Sequence, residues 1–379
     1  MIYLDYSATT PVNKEVLDTF VKVSNNYIGN PNSLHKLGVE SKKLIDASTE
    51  QIAKILKVKP SEIIYTSGAS ESNNTAIKGV ALKYKNRGNH IITTSLEHSS
   101  IYAPLNYLTE LGFEIDFVKL DKNGRVDIDD LKRLMRDTTI LVSISAVNSE
   151  LGIMQPIAEI GELLKDYPKC FFHVDMTQAV GKIPVSFKNI DLASFSCHKF
   201  YGIKGVGCLY KKENIVIEPL IHGGKSTTIY RSGTPATALI VSFAKALRLI
   251  YENLDEHMKE ITKKNIYLKE KLSKYDGVFI NSNEYSIPHI LNLSIIGVKP
   301  ETMLHALEEH DIYISTQSAC STGASSKSVM AVTNSEERAN SSIRISLSHL
   351  TTKEELDTFM EAFDECYKHL KVRWLVWKY

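Results

Sequence analysis

Residues 140–147 read ILVSISAV, an apolar run in which two serines are the only polar residues. A run of this length and composition is typical of a strand that is buried on both faces. Such strands occur in parallel sheets whose two faces are covered by helices. The run therefore predicts a central strand, over residues 139–147, of a mostly parallel sheet.

The chain on both sides of this run alternates between β-rich and helical segments. The other predicted strands are residues 62–66, 90–94, 113–120, 170–174, 192–196 and 206–210. The helices predicted between them are residues 71–84, 102–111, 128–135 and 158–165. Because this alternation is typical of right-handed βαβ units, the sequence predicts an α/β fold with a mostly parallel sheet.

The pattern changes after Thr234. Two long helical stretches, residues 236–254 and 256–275, are followed by short strands and helices of α+β character. The strands are predicted at residues 278–281, 290–294 and 343–348, and the helices at residues 303–309 and 353–370. We therefore predict a large domain of residues 13–255 and a smaller α+β domain that combines residues 1–12 with residues 256–379.

The composition excludes several classes of protein. The 379 residues include 45 Lys and Arg against 44 Asp and Glu, and this balance argues against direct nucleic-acid binding and polybasic membrane binding. No apolar run approaches the roughly 18 residues of a membrane span. The five cysteines are odd in number and form no C-x-x-C pair, which argues against a disulfide framework and a metal site. We expect a cytoplasmic protein.

Residues 66–74 read TSGASESNN and connect a predicted strand to a predicted helix. A turn of this kind presents backbone N–H groups at a helix N-terminus, where the helix dipole favours an anion. The turn could hold a phosphate, or it could be an ordinary N-cap. It is not a P-loop, since no Gly-Lys-Ser/Thr follows, and it lacks the G-x-G-x-x-G pattern of dinucleotide sites.

Polar residues also follow three of the predicted strands, at residues 147–150, 173–178 and 193–199. In open α/β sheets the ligand crevice lies at the carboxyl ends of the strands, so these residues should converge there. Among them, Lys199 suggests covalent chemistry with a carbonyl cofactor. Pyridoxal phosphate also needs a carboxylate at its pyridinium nitrogen, for which Asp175 is the candidate. Each residue alone has an ordinary explanation, and the hypothesis depends on their joint placement.

These segments and several others closely resemble one family over nearly the whole chain. The sequence resembles the cysteine desulfurases of the nitrogen-fixation and iron–sulfur-cluster type, within the class V aminotransferases of fold-type I. The matching stretches are residues 3–11 (YLDYSATTP), 29–35 (GNPNSLH), 66–74 (TSGASESNN), 97–98 (EH), 147–152 (VNSELG), 173–178 (HVDMTQ), 196–199 (SCHK), 231–234 (RSGT), 318–320 (SAC) and 341–344 (SSIR). The resemblance implies a seven-stranded, mostly parallel sheet in the large domain and pyridoxal 5'-phosphate as the cofactor.

The resemblance also implies a role for individual residues. Lys199 would hold the cofactor covalently and move the substrate Cα proton, Asp175 would pair with the pyridinium nitrogen, and His98 would stack on the ring. The remaining cofactor-binding residues implied are Ala69, Ser70, Asn148, Gln178, Ser196, His198 and, from a second subunit, Thr234. Gln178 and Asn148 would lie near the phenolic oxygen, and Ser70, Ser196 and His198 near the phosphate. Arg344, helped by Asn148, would bind the substrate carboxylate.

Cys320 differs from the other cysteines. Free cysteines are usually buried and inert, and we expect this of Cys170, Cys208 and Cys366. Cys320 lies instead among Ser, Thr, Ala and Gly, in a stretch that predicts a mobile loop. A thiolate there could take the sulfur of L-cysteine as a persulfide and release alanine. Cys197 stands where the family usually has glycine; a packing change is the favoured interpretation, with a redox role left open.

Other functions remain open at this point. Selenocysteine lyase is the nearest alternative activity, while an aminotransferase has no need of a loop thiol. A catalytically silent cofactor-binding scaffold is the alternative from another class, and a Cys-His hydrolase lacks a matching signature. The resemblance implies a homodimer that passes sulfur to an acceptor protein, such as an iron–sulfur scaffold or a tRNA-thiolating enzyme, or to thiamine synthesis. The aromatic C-terminal residues 371–379 could dock that acceptor or pack on their own subunit.

Overall fold

The computed structural model describes residues 1–316 and 325–377, with only the backbone described for residues 372–377. Its strands are β1 (Ile2–Tyr3), β2 (Ile63–Thr66), β3 (His90–Thr93), β4 (Glu114–Phe117), β5 (Thr139–Ser145), β6 (Phe171–Asp175), β7 (Leu192–Ser196), β8 (Gly207–Lys211), β9 (Val278–Ile280), β10 (Ile290–Ile295), β11 (Ile312–Tyr313) and β12 (Ser342–Ser346). Its α-helices are α1 (Lys14–Asn26), α2 (Lys36–Leu56), α3 (Ala69–Tyr84), α4 (Ser99–Glu110), α5 (Ile128–Leu134), α6 (Ile157–Leu163), α7 (Thr237–Glu252), α8 (Leu254–Leu272), α9 (Pro300–Glu308), α10 (Lys327–Thr333), α11 (Glu336–Ala339) and α12 (Lys353–Trp377). None of the helices in these described ranges combines the length and the hydrophobicity that a membrane span requires.

The central sheet has seven strands in the order β2-β8-β7-β6-β5-β3-β4. Strand β8 is antiparallel to both of its neighbours, and the other neighbouring pairs are parallel. The predictions of an α/β fold and of a mostly parallel, seven-stranded sheet are confirmed. All seven strands predicted in this part of the chain are present, with ends that differ by a few residues.

Strand β5, which contains most of the apolar run 140–147, is buried along its whole length. Its side chains enter two different hydrophobic clusters. Leu141 packs in a cluster with residues of α3 and α4, whereas Val142 packs in a cluster with residues of α2 and α7. Helices therefore cover both faces of the sheet, which is why the strand is apolar in successive positions.

The helices α1 and α2 are elements that the sequence reasoning left unassigned. Both pack against α7. Helix α1 buries Val16 and Val23, two turns apart on one face, and leaves Leu17 and Val21 exposed on the adjacent side. The apolar residues thus recur at helical spacing, but both helices precede the alternating segments from which the α/β fold is predicted.

A separate hydrophobic cluster lies under the antiparallel sheet β12-β10-β9, between α8, α9 and α12. The N-terminal segment joins this cluster, because Leu4 is fully buried in it and β1 pairs in parallel with β11. Residues from the two ends of the chain therefore pack together here. The boundaries at residues 12 and 255 stay a prediction.

Candidate active site

A cavity of about 460 Å³ opens at the carboxyl ends of β5, β6 and β7, beside the N-terminus of α3. Its lining includes nine of the residues singled out by the sequence: Ala69, Ser70, His98, Asp175, Gln178, Ser196, His198, Lys199 and Arg344. They come from segments up to 275 positions apart, Ala69 to Arg344. Convergence at this edge of the sheet follows from parallel strands ending on the same side.

One end of the cavity is built by the start of α3. The N-cap residue Gly68 makes no side-chain capping bond, so the first-turn N–H groups meet the cavity without a side-chain cap. Gly207 on β8 lets the sheet approach this turn closely, since a Cβ there would lie 2.6 Å from Cα of Gly68. A helix N-terminus held in this way favours an anionic group.

A chain of hydrogen bonds connects His98 to Asp175. The amide nitrogen Nδ2 of Asn73 donates to the Oδ2 atom of Asp175 at 2.8 Å and to the Oγ atom of Ser100 at 2.9 Å. The Ser100 hydroxyl lies 2.8 Å from Nδ1 of His98, and the N–H of Thr177 donates to Oδ1 of Asp175 at 2.9 Å. Asp175 is thus held by donors at both of its oxygens.

The same contacts define the state of the His98 ring. The backbone N–H of Ser100 donates to Nδ1 at 3.1 Å, which requires an unprotonated Nδ1 and places the proton of the neutral ring on Nε2. Burial lowers the pKa of His98 below its ordinary value of 6.5, and the positive charge of Lys199 adds to this while Asp175 opposes it. A neutral ring with a protonated Nε2 is therefore the form present at neutral pH.

Lys199 is held by the N-terminal segment of the chain. Its Nζ atom donates to the backbone oxygen of Ser7 at 2.7 Å and to that of Ala8 at 2.8 Å. The neighbouring His198 is fastened to the same segment, with 3.1 Å between its Nδ1 atom and the Oγ1 atom of Thr9. Burial, assisted by Lys199, lowers the pKa of His198 to about 4, so this ring is neutral at pH 7.

Arg344 brings a buried guanidinium to the cavity from β12. One terminal nitrogen donates to the backbone oxygen of Ser149 at 2.8 Å, and the other pairs with Asp5 at 2.8 Å. Its Nε atom is buried and has no hydrogen-bond partner among the described residues. With an exposed fraction of only 1%, this cation is oriented before any ligand arrives.

Two of the predicted residues do not line this cavity. The Asn148 side chain is engaged within the protein, since Nδ2 donates to Leu96 and Ser328 and Oδ1 accepts from the N–H groups of Glu150 and Leu151. Thr234 lies in a different surface pocket, together with residues of α1 and of the 27–31 segment. The roles assigned to both remain predictions.

Glu97 is a buried acid directly behind His98 that sequence reasoning gave no role. Its carboxyl group accepts hydrogen bonds from the N–H and the hydroxyl of Ser145 and from the hydroxyl of Thr94. Burial raises the pKa of Glu97 from 4.5 to about 7, although the hydrogen bonds from Ser145 and Thr94 oppose the rise. Glu97 therefore keeps its proton to a higher pH in the folded protein than an exposed glutamate would.

We expect the substitution Glu97→Gln to remove part of the pH dependence of stability. Between pH 4.5 and about 7 the folded protein binds the Glu97 proton more tightly than the unfolded chain, so this contribution is present at low pH and is lost as the pH rises. At about 1.4 kcal/mol per pKa unit, the contribution of Glu97 to the free energy of unfolding falls by about 3 kcal/mol across this range. Urea unfolding of both proteins across this range measures it. Glu110→Gln, at an exposed position, is the control, and a wild-type pH dependence in Glu97→Gln would contradict the assignment.

The four cysteines among the described residues are buried free thiols: Cys170, Cys197, Cys208 and Cys366. Burial of Cys170, Cys208 and Cys366 was expected and is confirmed. Cys197 is fully buried, its pKa is raised by burial, and its Sγ atom packs where a Cβ on Gly202 would collide with it. This favours the packing interpretation of Cys197. Cys320 lies outside the described residues.

Several residues of the site were not assigned a role from sequence. Asn73 and Ser7 stood within matched stretches, but nothing local showed that they would contact Asp175 and Lys199. Asp5, Ser100 and Glu97 were missed for the same reason. The described residues contain no cluster of three or more His, Cys, Asp or Glu side chains that could hold a metal ion.

Known proteins match this chain over nearly its whole length. The family model for class-V aminotransferases matches residues 2–359. A NifS/IcsS protein homolog of Lactobacillus delbrueckii subsp. bulgaricus is 44% identical and covers 97% of this chain and 98% of its own. The cysteine desulfurase IscS of Dictyoglomus turgidum is 39% identical, with 98% and 95% covered. A solved NifS-like protein has a TM-score of 0.90 at 36% identity, covering 97% of this chain and 99% of its own. The chain therefore belongs to the class-V aminotransferase family.

Proposed function

We propose that this protein is a cysteine desulfurase, which removes sulfur from L-cysteine to give L-alanine and a persulfide on Cys320. The observation that carries the proposal is the presence of Lys199, Asp175 and Arg344 on one cavity beside the uncapped start of α3. An amine, a buried acid, an oriented guanidinium and an anion site are the groups that this chemistry requires.

Pyridoxal 5'-phosphate is the cofactor that these residues fit. The buried hydroxyls of Ser7 and Thr177 have no hydrogen-bond partner among the described residues, and both residues line the cavity. Lys199 would hold the cofactor covalently, and Asp175 would bind its pyridinium nitrogen. Ala69, Ser70, Ser196 and His198 would hold the phosphate, with Gln178 and Asn148 near the phenolic oxygen. When bound, the cofactor supplies an electron sink that stabilises negative charge on the substrate.

Arg344 is the proposed site of the substrate carboxylate. A guanidinium presents a planar set of donors that matches a carboxylate, and Nε of Arg344 still lacks an acceptor among the described residues. The ion pair with Asp5 and the bond to Ser149 hold the group in one orientation. A preoriented cation loses little conformational entropy when the substrate binds.

Proton movements at the substrate are assigned to Lys199 and His98. Lys199, fastened by the Ser7 and Ala8 carbonyls, would take and return the Cα proton. The neutral His98 ring, with its proton on Nε2, is a donor whose tautomer is maintained by Ser100. Asn73 supports both His98, through Ser100, and Asp175.

Cys320 is the proposed sulfur acceptor. The described residues on either side of its segment are fixed by hydrogen bonds: Ser315 exchanges backbone hydrogen bonds with Arg344 of the site, and the Ser326 hydroxyl donates to Glu150 at 2.6 Å. In the net reaction the substrate C–S bond is replaced by a C–H bond and an S–S bond forms on Cys320, which needs no external oxidant.

The dimer, the acceptor and the domain division are also part of the proposal. Thr234 would complete the site of a partner subunit, since it lies outside the cavity of its own chain. Exposed apolar side chains on and near α1 and α2 support a homodimer: Leu17, Val21, Ile28, Leu34 and Leu37.

The acceptor would be an iron–sulfur scaffold or a tRNA-thiolating enzyme. The Leu4 packing supports a small domain of residues 1–12 and 256–379.

The test is incubation of the cofactor-loaded protein with L-cysteine in the absence of any keto acid. We expect alanine and transferable sulfur in equal amounts, because the reaction exchanges one C–S bond for one C–H bond. Alanine that appears only when a keto acid is added would indicate an aminotransferase. Turnover of selenocysteine with none of cysteine would indicate a selenocysteine lyase, and no turnover of either would leave a silent scaffold.

A further inference from the structure

Lys182 is a buried lysine close to the site. It has no role in the proposed reaction. Its exposed fraction is 5%, and its Nζ atom donates a hydrogen bond to Oε1 of Gln178. Gln178 lines the cavity, and its Nε2 atom donates to the backbone oxygen of Ser7 at 3.0 Å. The same Ser7 oxygen accepts from Lys199. Lys182 is thus connected to Lys199 through Gln178 and Ser7.

The backbone after β6 places these two side chains together. Tight turns, in which the N–H groups of Ala179 and Val180 donate to the backbone oxygen of Met176, bring Gln178 and Lys182 onto the same side of the segment. Gly181 adopts a φ of +75°, and a Cβ there would lie 2.6 Å from Cβ of Phe200, the residue after Lys199. Because only glycine fits this close approach, the turn keeps Lys182 against the segment that carries the cofactor lysine.

The surroundings of Lys182 are unfavourable for its protonated, positively charged form. Burial lowers the pKa of Lys182 well below its ordinary value of 10.5, and the charges of Lys199 and Arg344 lower it further, while Asp5 opposes them. The buried His289 is a further base beside it. Replacing a buried charged group by an apolar one of similar size is often neutral or stabilising, so stability alone does not explain a lysine here.

The contacts of Gln178 suggest what the lysine does. An amide can rotate to exchange its oxygen and nitrogen, and its orientation is set by its partners. The Ser7 carbonyl can only accept, which keeps the amide nitrogen beside it, and Lys182 donates to Oε1 on the other side; in this orientation the amide nitrogen keeps a second N–H beyond the one given to Ser7. We propose that Lys182 is a positioning residue that fixes the Gln178 amide so that its nitrogen donates into the cofactor cavity.

This inference rests on the proposed function, and its test uses the visible absorption of the cofactor-loaded protein. We expect Lys182→Met and Gln178→Ala each to move the absorption maximum and to weaken cofactor binding about tenfold, the effect of one lost hydrogen bond to a charged group. If Lys182 acts through Gln178, the double variant should show no more than either single change. Activity alone would not separate this role from a structural one.

Lys211→Met is the matched control, because Lys211 is also a buried lysine but does not line the cavity and donates to Ile215 at 2.7 Å. We expect an unchanged spectrum there. Lys182→Gln, which is too short to reach Gln178 in the same way, should reproduce Lys182→Met if the latter fails to fold. A wild-type spectrum in the Lys182 variants, or a shift that adds to that of Gln178→Ala, would overturn the inference. Wild-type protein that never absorbs visible light with the cofactor would refute the proposed function, and this inference with it.

Discussion

Alanine in place of Lys199 is expected to leave no cofactor that borohydride can fix to the protein, and to lower desulfurase turnover by about a thousandfold or more. The substitution removes both the covalent anchor and the base for the Cα proton. The other contacts of the cavity remain, since Asp175 is held by Asn73 and Thr177 and the start of α3 is unaffected. The variant should therefore still bind the cofactor reversibly. Mass spectrometry after borohydride treatment measures the attachment.

Lys204 supplies the control for this experiment, because it is an exposed lysine that lines the same cavity. Lys204→Ala should keep the attached cofactor on the peptide that contains Lys199. Cofactor attached to the Lys199→Ala protein, or attachment that disappears with Lys204, would show that the amine has been assigned to the wrong residue. Reversible binding by Lys199→Ala, followed by equilibrium dialysis, distinguishes loss of the anchor from loss of the fold.

Serine in place of Cys320 is expected to leave the cofactor spectrum unchanged and to abolish the transfer of sulfur, with turnover reduced by about a hundredfold or more. A hydroxyl is a far weaker nucleophile toward sulfur than a thiolate, so the substrate would bind without giving up its sulfur atom. After incubation with L-cysteine, mass spectrometry should find one added sulfur on the Cys320 peptide of the wild-type protein and none in the variant.

Cys197→Ala is the control for the thiol, since Cys197 follows Ser196 in the site but its side chain is fully buried. This variant should keep both turnover and the added sulfur on Cys320. Undiminished turnover in Cys320→Ser would remove Cys320 from the mechanism. An added sulfur on Cys197 would instead show that the buried thiol is reached during the reaction.

The central sheet could be predicted in detail because its strands carry a strong local signal. Strands β5, β6 and β7 are rich in apolar residues and almost entirely buried, and they end in the polar residues Ser145, Asp175 and Ser196. Convergence of those ends follows from the parallel arrangement alone. Helices α1 and α2 lie before the alternating strands and helices, so the βαβ pattern does not include them, and only their packing against α7 shows where they belong.

The sequence by itself determined the α/β class, the strand ends that carry the chemistry and, through the ordered motifs, the family. Only the tertiary structure decided how those groups are held. Ser7 reaches Lys199 across 192 positions, Asn73 reaches Asp175 across 102, and Asp5 reaches Arg344 across 339. Local patterns report which face of an element is apolar, whereas contacts between distant segments depend on how all the elements pack. The bond from Lys182 to Gln178 is local, but its importance became visible only when Gln178 was found on the cavity.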